Sequence, residues 1–449
     1  MRLSAATLDL LPPHVERPAY DRESAAGIVH FGIGAFHRAH QAWYSDACLR
    51  AGGTGWMIAG VSLRSAGVAR QLDPQDGLFT VVERSASGEK ARVAGSVGKV
   101  LVAGADDASI VAQIADPACR IISFTVTEKG YCRGADGSLD MDAAMHGFYP
   151  LLAAGMRARK DAGLPGLTLL SCDNLAHNGH LLRQLLHQYL PADMQDWFEA
   201  ECTCPSSMVD RIVPATTPDD LARLEASFGL KDEGAVFTEE FSQWVIEDNF
   251  AGPRPRWEDY GAQIVEDVTP YETAKLRMLN GAHSLMAYCG LEAGHEFVHQ
   301  AIDDPDLRQL VDRLMRQEAA TSFSPAPGQD LADYADALVA RFRNPSLNHR
   351  LAQIAMDGSQ KIPQRWLETF EAHRNRGNSC PAMLQGLAAW VRHIRGDLRP
   401  VDDPEADSLA ELWQNAGKAG IARALFGPNG RFDVWKADES DLNALTEMI

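Results

Sequence analysis

Short apolar runs separated by longer mixed stretches set the rhythm of the first half of the chain. Gly27-Ile-Val-His-Phe31, Trp56-Met-Ile-Ala-Gly-Val61, Arg120-Ile-Ile-Ser-Phe-Thr-Val126 and Leu167-Thr-Leu-Leu170 are nearly continuous in apolar side chains. Runs of this kind, alternating with helical stretches, predict buried strands of a parallel sheet covered on both faces. From Met208 to Asp267 the pattern is less regular, and Gly234–Thr238 and Gln263–Val265 read as further strands of the same domain. After Thr269 the period changes. Leu307, Leu310, Val311 and Leu314 fall at i, i+3, i+4 and i+7, and Tyr334, Leu338 and Phe342 repeat that face. The remainder therefore reads as nearly all helix. The expected fold is α/β: a Rossmann-type N-terminal domain over 1–268 and a mostly α-helical C-terminal domain over 269–449.

Composition narrows the partners. A chain of 449 residues, 45% of them hydrophobic, has the material for two cores. Its net charge of −19 repels nucleic acid and anionic membranes. An anionic small molecule would need a local basic pocket. The eight cysteines are scattered, with Cys202 and Cys204 as the one close pair, which points to reduced thiols in a cytoplasmic protein. No stretch reaches the roughly 18 apolar residues of a membrane span.

The first strand runs into Gly32-Ile-Gly34-Ala-Phe-His37 and then a helix. Gly32 suits a tight turn, and Gly34 leaves room for a pyrophosphate to approach backbone N–H groups. The third glycine of the usual dinucleotide fingerprint is replaced by His37. After the second strand no acid appears before Asp73 to hold the ribose hydroxyls of NAD. Arg64, with Ser62 and Ser65, suits a ribose 2′-phosphate or a solvated loop equally well.

The stretch Pro270-Tyr-Glu272-Thr-Ala-Lys275-Leu-Arg-Met-Leu-Asn280-Gly-Ala-His283 carries candidate chemistry. On an ideal α-helix, with Lys275 at zero, Glu272 falls at about 60°, His283 at about 80° and Asn280 at about 140°. These polar groups share a side with Leu276 and Leu279, which fits neither a solvated face nor a plain core stripe. Oxidising an alcohol requires a base for the hydroxyl proton. A lysine serves if its surroundings bring its pKa from about 10.4 toward neutrality. Neutral donors such as Asn and His stabilise the developing alkoxide. Glu272 can pass the proton to water or simply favour the helix N-terminus.

One motif points elsewhere. His295-Glu296-Phe-Val-His299 matches the H-E-x-x-H helix of zinc proteases, in which the two histidines bind metal and the glutamate is the base. It lacks a third ligand pattern downstream, and Gly290 and Gly294 precede it.

Four ordered stretches carry a resemblance: Gly32–His40, Thr125-Val-Thr-Glu-Lys-Gly-Tyr131, Ser171-Cys-Asp-Asn174 with Asn178-Gly179, and Lys275–His283. Together they resemble the polyol-specific long-chain dehydrogenases, the mannitol dehydrogenase family, in order from about Ile28 to at least Arg365. The resemblance implies a metal-independent oxidoreductase that interconverts a secondary alcohol and a ketone with NAD, NADP not being excluded. It implies Lys275 as general base, Asn174 and Asn280 polarising the reacting oxygen, His283 on the substrate and Glu272 on a proton path. Gly32, Gly34, Phe36 and Arg64 make up the expected cofactor set. Lys361 is implied as a substrate contact. Gln353-Ile-Ala-Met-Asp-Gly-Ser-Gln-Lys361-Ile-Pro-Gln-Arg365 resembles the fructuronate reductase (mannonate oxidoreductase) branch more than the mannitol 2-dehydrogenases. Lys361 and Arg365 are suited to pair with a carboxylate. The leading substrate pair is D-mannonate/D-fructuronate, with D-mannitol/D-fructose or another polyol as the alternative. The residues leave self-association open.

Overall fold

In the computed structural model, which describes residues 1–134, 136–397 and 399–449, the chain divides into two compact units, Met1–Val268 and Thr269–Ile449. Unit one is built on five parallel strands: β1 (Ile28–Phe31), β2 (Ile58–Ser62), β5 (Val97–Val102), β6 (Ile121–Phe124) and β7 (Thr168–Ser171). Their order is β5-β2-β1-β6-β7, with Ile28 opposite Ile58 on one side and Ile121 on the other. Strand order reverses at β1, so the crevice at the carboxyl ends of β1 and β6 is the topological switch point where dinucleotides bind in such sheets. β1, β6 and β7 are buried along their whole length. That burial is why they read as uninterrupted apolar runs.

Two three-stranded sheets complete unit one. β3 (Phe79–Ser85) lies between β4 (Gly88–Ala94) and β9 (Val236–Glu239). β10 (Gln243–Glu247) lies between β8 (Ser207–Asp210) and β11 (Gln263–Val265). The segments expected as strands at Gly234–Thr238 and Gln263–Val265 are β9 and β11, outside the main sheet.

Among its described residues unit two is helical apart from one isolated bridge, Phe297 to Arg350. Its core is a single cluster that runs from Ala274 through Leu285, Trp366 and Trp390 to Leu445. Three helical stretches take π geometry: Lys275–Asn280, Leu314–Ala319 and Pro363–Leu367. The first packs against both of the others. Among the described residues no helix is long and apolar enough to cross a membrane.

Candidate active site

In unit one the candidate groups line the carboxyl edge of the main sheet. Gly32 follows β1 with φ of 97°, and a Cβ there would lie 2.0 Å from the Thr125 carbonyl oxygen. No L side chain fits, so β1 and β6 approach closely at the switch point. Thr125 Oγ1 donates to Gly32 O at 2.7 Å and lies 2.8 Å from His30 Nε2. Gly34 has extended backbone and is exposed, and a Cβ would meet only Gly32 O, at 3.7 Å. The space in front of this turn is the cradle a pyrophosphate needs. The helix that follows, Ala35–Ala39, is a single turn that ends at His40 before Gln41–Arg50 begins. His37, at the place of the missing glycine, is fully buried with its ring stacked on His30 at 3.5 Å. It occupies core, and burial pushes its pKa well below the usual imidazole value. Phe36 is half-buried and stacks on His40.

After β2, Ser62 Oγ donates to Ser65 O at 2.6 Å and Arg64 is exposed. From Leu63 through Leu72 there is no acid. After β6 the chain turns through Thr127, which holds φ 65° and ψ 165°. Such a conformation costs a β-branched residue roughly 1–3 kcal/mol. Asp173, just after β7, secures it by accepting from Val126 N at 2.9 Å, Thr127 N at 2.8 Å and the Tyr131 hydroxyl at 3.1 Å. Burial raises the Asp173 pKa, and these donors oppose that shift. Asn178 is buried, donating to Asp173 O at 2.9 Å and Ser207 O at 2.8 Å. The Ser-Cys-Asp-Asn and Asn-Gly pieces are thus one device, which ties β6 and β7 together and leaves Asn174 exposed at the sheet edge.

In unit two the lysine segment is not a continuous α-helix. Thr269–Ala274 is α-helical, Lys275–Asn280 is a π-turn, and Gly281–Glu292 resumes the α-helix. Gly281 N bonds back to Leu276 O, five residues earlier. The 140° separation of Lys275 and Asn280 expected from an α-helix is therefore too large: the wider i→i+5 turn brings Asn280, five residues on, toward the side of Lys275. Arg277, inside the turn, donates to Ser322 Oγ at 2.9 Å and pairs with Glu368 at 3.2 Å. Those partners follow the other two π-turns, so one guanidinium fastens all three. Glu272, Lys275 and His283 are buried, and Asn280 is half-buried.

His283 makes no hydrogen bond to any described residue, although it is 8% exposed. Its pKa lies well below the usual value, because burial removes it from water and because His349, Arg341 and Arg365 face it. It is a neutral donor and acceptor. Arg365 donates to Ser284 Oγ at 2.8 Å, and burial pushes its pKa down to about 10. Lys361 donates to Met356 O at 2.6 Å and lies 3.5 Å from Asp357. Burial, and then Arg365, lower its pKa. Arg365 thus belongs to the surroundings of His283, and Lys361 neighbours Arg365. Arg341 and His349, which the sequence reading did not single out, belong there too.

The zinc reading fails on geometry. His295 and Glu296 precede the helix Val298–Asp303 that holds His299, so the two histidines do not share a helical face. His295 Nε2 bonds Asp304 at 3.1 Å, and Glu296 pairs with Arg350. Among the described residues no group of three potential ligands converges anywhere.

Comparison with known proteins matches residues 26–259 to the mannitol dehydrogenase Rossmann domain and residues 267–427 to the mannitol dehydrogenase C-terminal domain. The chain is 41% identical to the uncharacterized oxidoreductase YdfI of Escherichia coli (strain K12), over 93% of this chain and 92% of that one. It is 38% identical to the D-mannonate oxidoreductase of the same organism, over 96% and 93%. A solved ternary complex of Pseudomonas fluorescens mannitol 2-dehydrogenase with NAD and D-mannitol is 33% identical, with a TM-score of 0.82 over 100% of this chain and 96% of that one.

Proposed function

Because the chain belongs to the mannitol dehydrogenase family of oxidoreductases, we propose that it interconverts D-mannonate and D-fructuronate with a nicotinamide dinucleotide. The observation that carries the substrate is the basic set around His283. Arg365 and Arg341 face it, and Lys361 lies beside Arg365, in a chain whose net charge is −19. A carboxylate bound beside His283 would meet guanidinium groups able to pair with it.

The residues after β1 fit the cofactor. Gly34 leaves an open cradle at a helix start, and Gly32 allows the close turn beneath it. The nicotinamide supplies hydride acceptance from the substrate carbon. Lys275 takes the hydroxyl proton as that hydride departs. Asn174 and Asn280 donate to the oxygen as it becomes a carbonyl, and His283 hydrogen-bonds the substrate. Glu272, three residues before Lys275 and equally buried, carries the proton onward. In reduction each step reverses. NAD is the expected cofactor, and NADP is tolerated because no acid follows β2 and Arg64 is exposed there.

The NAD and D-mannitol complex of the Pseudomonas enzyme supports D-mannitol/D-fructose as a second reading. Reduction of D-fructuronate, D-tagaturonate and D-fructose with NADH and with NADPH separates the readings. A higher kcat/KM for a sugar acid is expected. A higher kcat/KM for fructose overturns the acid reading.

A further inference from the structure

The surroundings of His283 include a second imidazole to which the reaction above gives no role. His349 lies edge-on to His283, with ring centroids 5.1 Å apart and planes at 79°. Its backbone is fixed. Val298 N donates to His349 O at 3.0 Å, Leu351 N donates to Glu296 O at 2.9 Å, and Phe297 and Arg350 form an antiparallel bridge. Arg350 also pairs with Glu296 and lies over the Phe297 ring. The His-Glu-x-x-His stretch is therefore the ledge on which His349 rests.

The surroundings distinguish the two ring nitrogens. His349 Nδ1 is sealed from solvent with no hydrogen-bond partner, and the charged group facing the ring is Arg341. Nε2 is not among the sealed atoms, so it is the ring nitrogen open to a ligand. His283, across the ring contact, is faced by Arg341 and Arg365 as well as by His349. The groups facing the two rings are thus all basic or neutral. An N–H donor near two guanidinium groups suits an anion better than a hydroxyl.

Resting on the sugar-acid reading, we propose that His349 is a specificity-determining residue, its Nε2–H donating to the acidic end of a substrate bound at His283.

Three variants test this against D-fructuronate and D-fructose. His349→Leu removes the donor. His349→Gln places an amide near the position of Nε2, and His349→Asn places one near Nδ1. His349→Leu is expected to lower kcat/KM for fructuronate about 10–100-fold more than for fructose, the range for a hydrogen bond to a charged group. Gln is expected to restore most of that difference and Asn little of it. NADH binding and thermal melting identify folded variants, and the Gln–Asn contrast stands even if Leu fails to fold. Equal losses on both substrates, or no loss, overturn the assignment while leaving the acid reading intact. A wild-type enzyme that prefers fructose overturns both.

Discussion

Lys275 opens and Asn280 closes a single π-helical turn. On an α-helix the two would diverge by about 140°, and the i→i+5 geometry instead brings them onto one face. The turn is held from both sides, because Arg277 within it bonds Ser322 and Glu368. The proposed base and an oxygen-polarising amide are set by backbone geometry rather than by flexible side-chain reach. Asn280→Ala is expected to lower kcat roughly 10²–10³-fold, as for loss of one oxyanion donor, with NADH affinity unchanged. Steady-state kinetics with fluorescence titration of NADH checks this; loss of NADH affinity alone would assign Asn280 to the cofactor.

The two glycines after β1 are expected to fail differently. Gly32→Ala sets a methyl against the Thr125 carbonyl at positive φ, so both thermal stability and NADH binding fall. Gly34→Ala meets no protein atom closer than 3.7 Å, so melting stays near the wild-type value. NADH affinity is expected to drop at least about tenfold as the methyl enters the pyrophosphate cradle. Equal NADH affinity in Gly34→Ala and wild type would place the dinucleotide elsewhere.

Acid destabilises this protein through its histidines. Burial pushes His30 down to about 3, and holds His37, His283, His349 and His393 below the usual value. Each stays neutral in the folded chain and protonates once unfolded. The unfolded state therefore binds more protons below about pH 6.5, and stability falls as pH drops through that value. The slope approaches about 1.4 kcal/mol per pH unit for each group held far below it, namely His30, His37 and His283. Denaturant unfolding between pH 7.5 and 5 measures it. Stability that is flat or rising toward pH 5 contradicts the assignment.

Much of unit one was legible because its central strands are buried on both faces. β1, β2, β6 and β7 announce themselves as apolar runs, and the Gly32 turn follows directly. The β3–β4 hairpin was missed. In β4 the first three residues, Gly88-Glu-Lys90, are exposed, and Arg92 shares the strand with buried Val93, so no run forms there; β3 does open on a buried run, Phe79–Val82, that the sequence reading passed over. The lysine segment was identified by residue type, but its π-turn was not. An apolar period records which side faces the core, but not the width of a turn that packs against Leu314–Ala319 and Pro363–Leu367, distant in sequence. His349 escaped notice because it lies between the short helices Pro345–Leu347 and Leu351–Ile354, where no period exists.

Chelation tests the remaining sequence motif. The break before Val298 and the pairing of Glu296 with Arg350 leave His295 and His299 without a shared metal-binding face. Prolonged dialysis against a chelator is expected to leave turnover unchanged. Loss of activity with recovery on added zinc contradicts this geometry.

The central claim is that Lys275 is the base for alcohol oxidation, and its replacement tests that most directly. Lys275→Ala is expected to bind NADH as wild type does while kcat for mannonate oxidation falls roughly 10²–10⁴-fold, the span of a general base. The limb of the pH–rate profile that reports the base should vanish with it. Near-normal turnover with an unchanged pH profile would contradict the account.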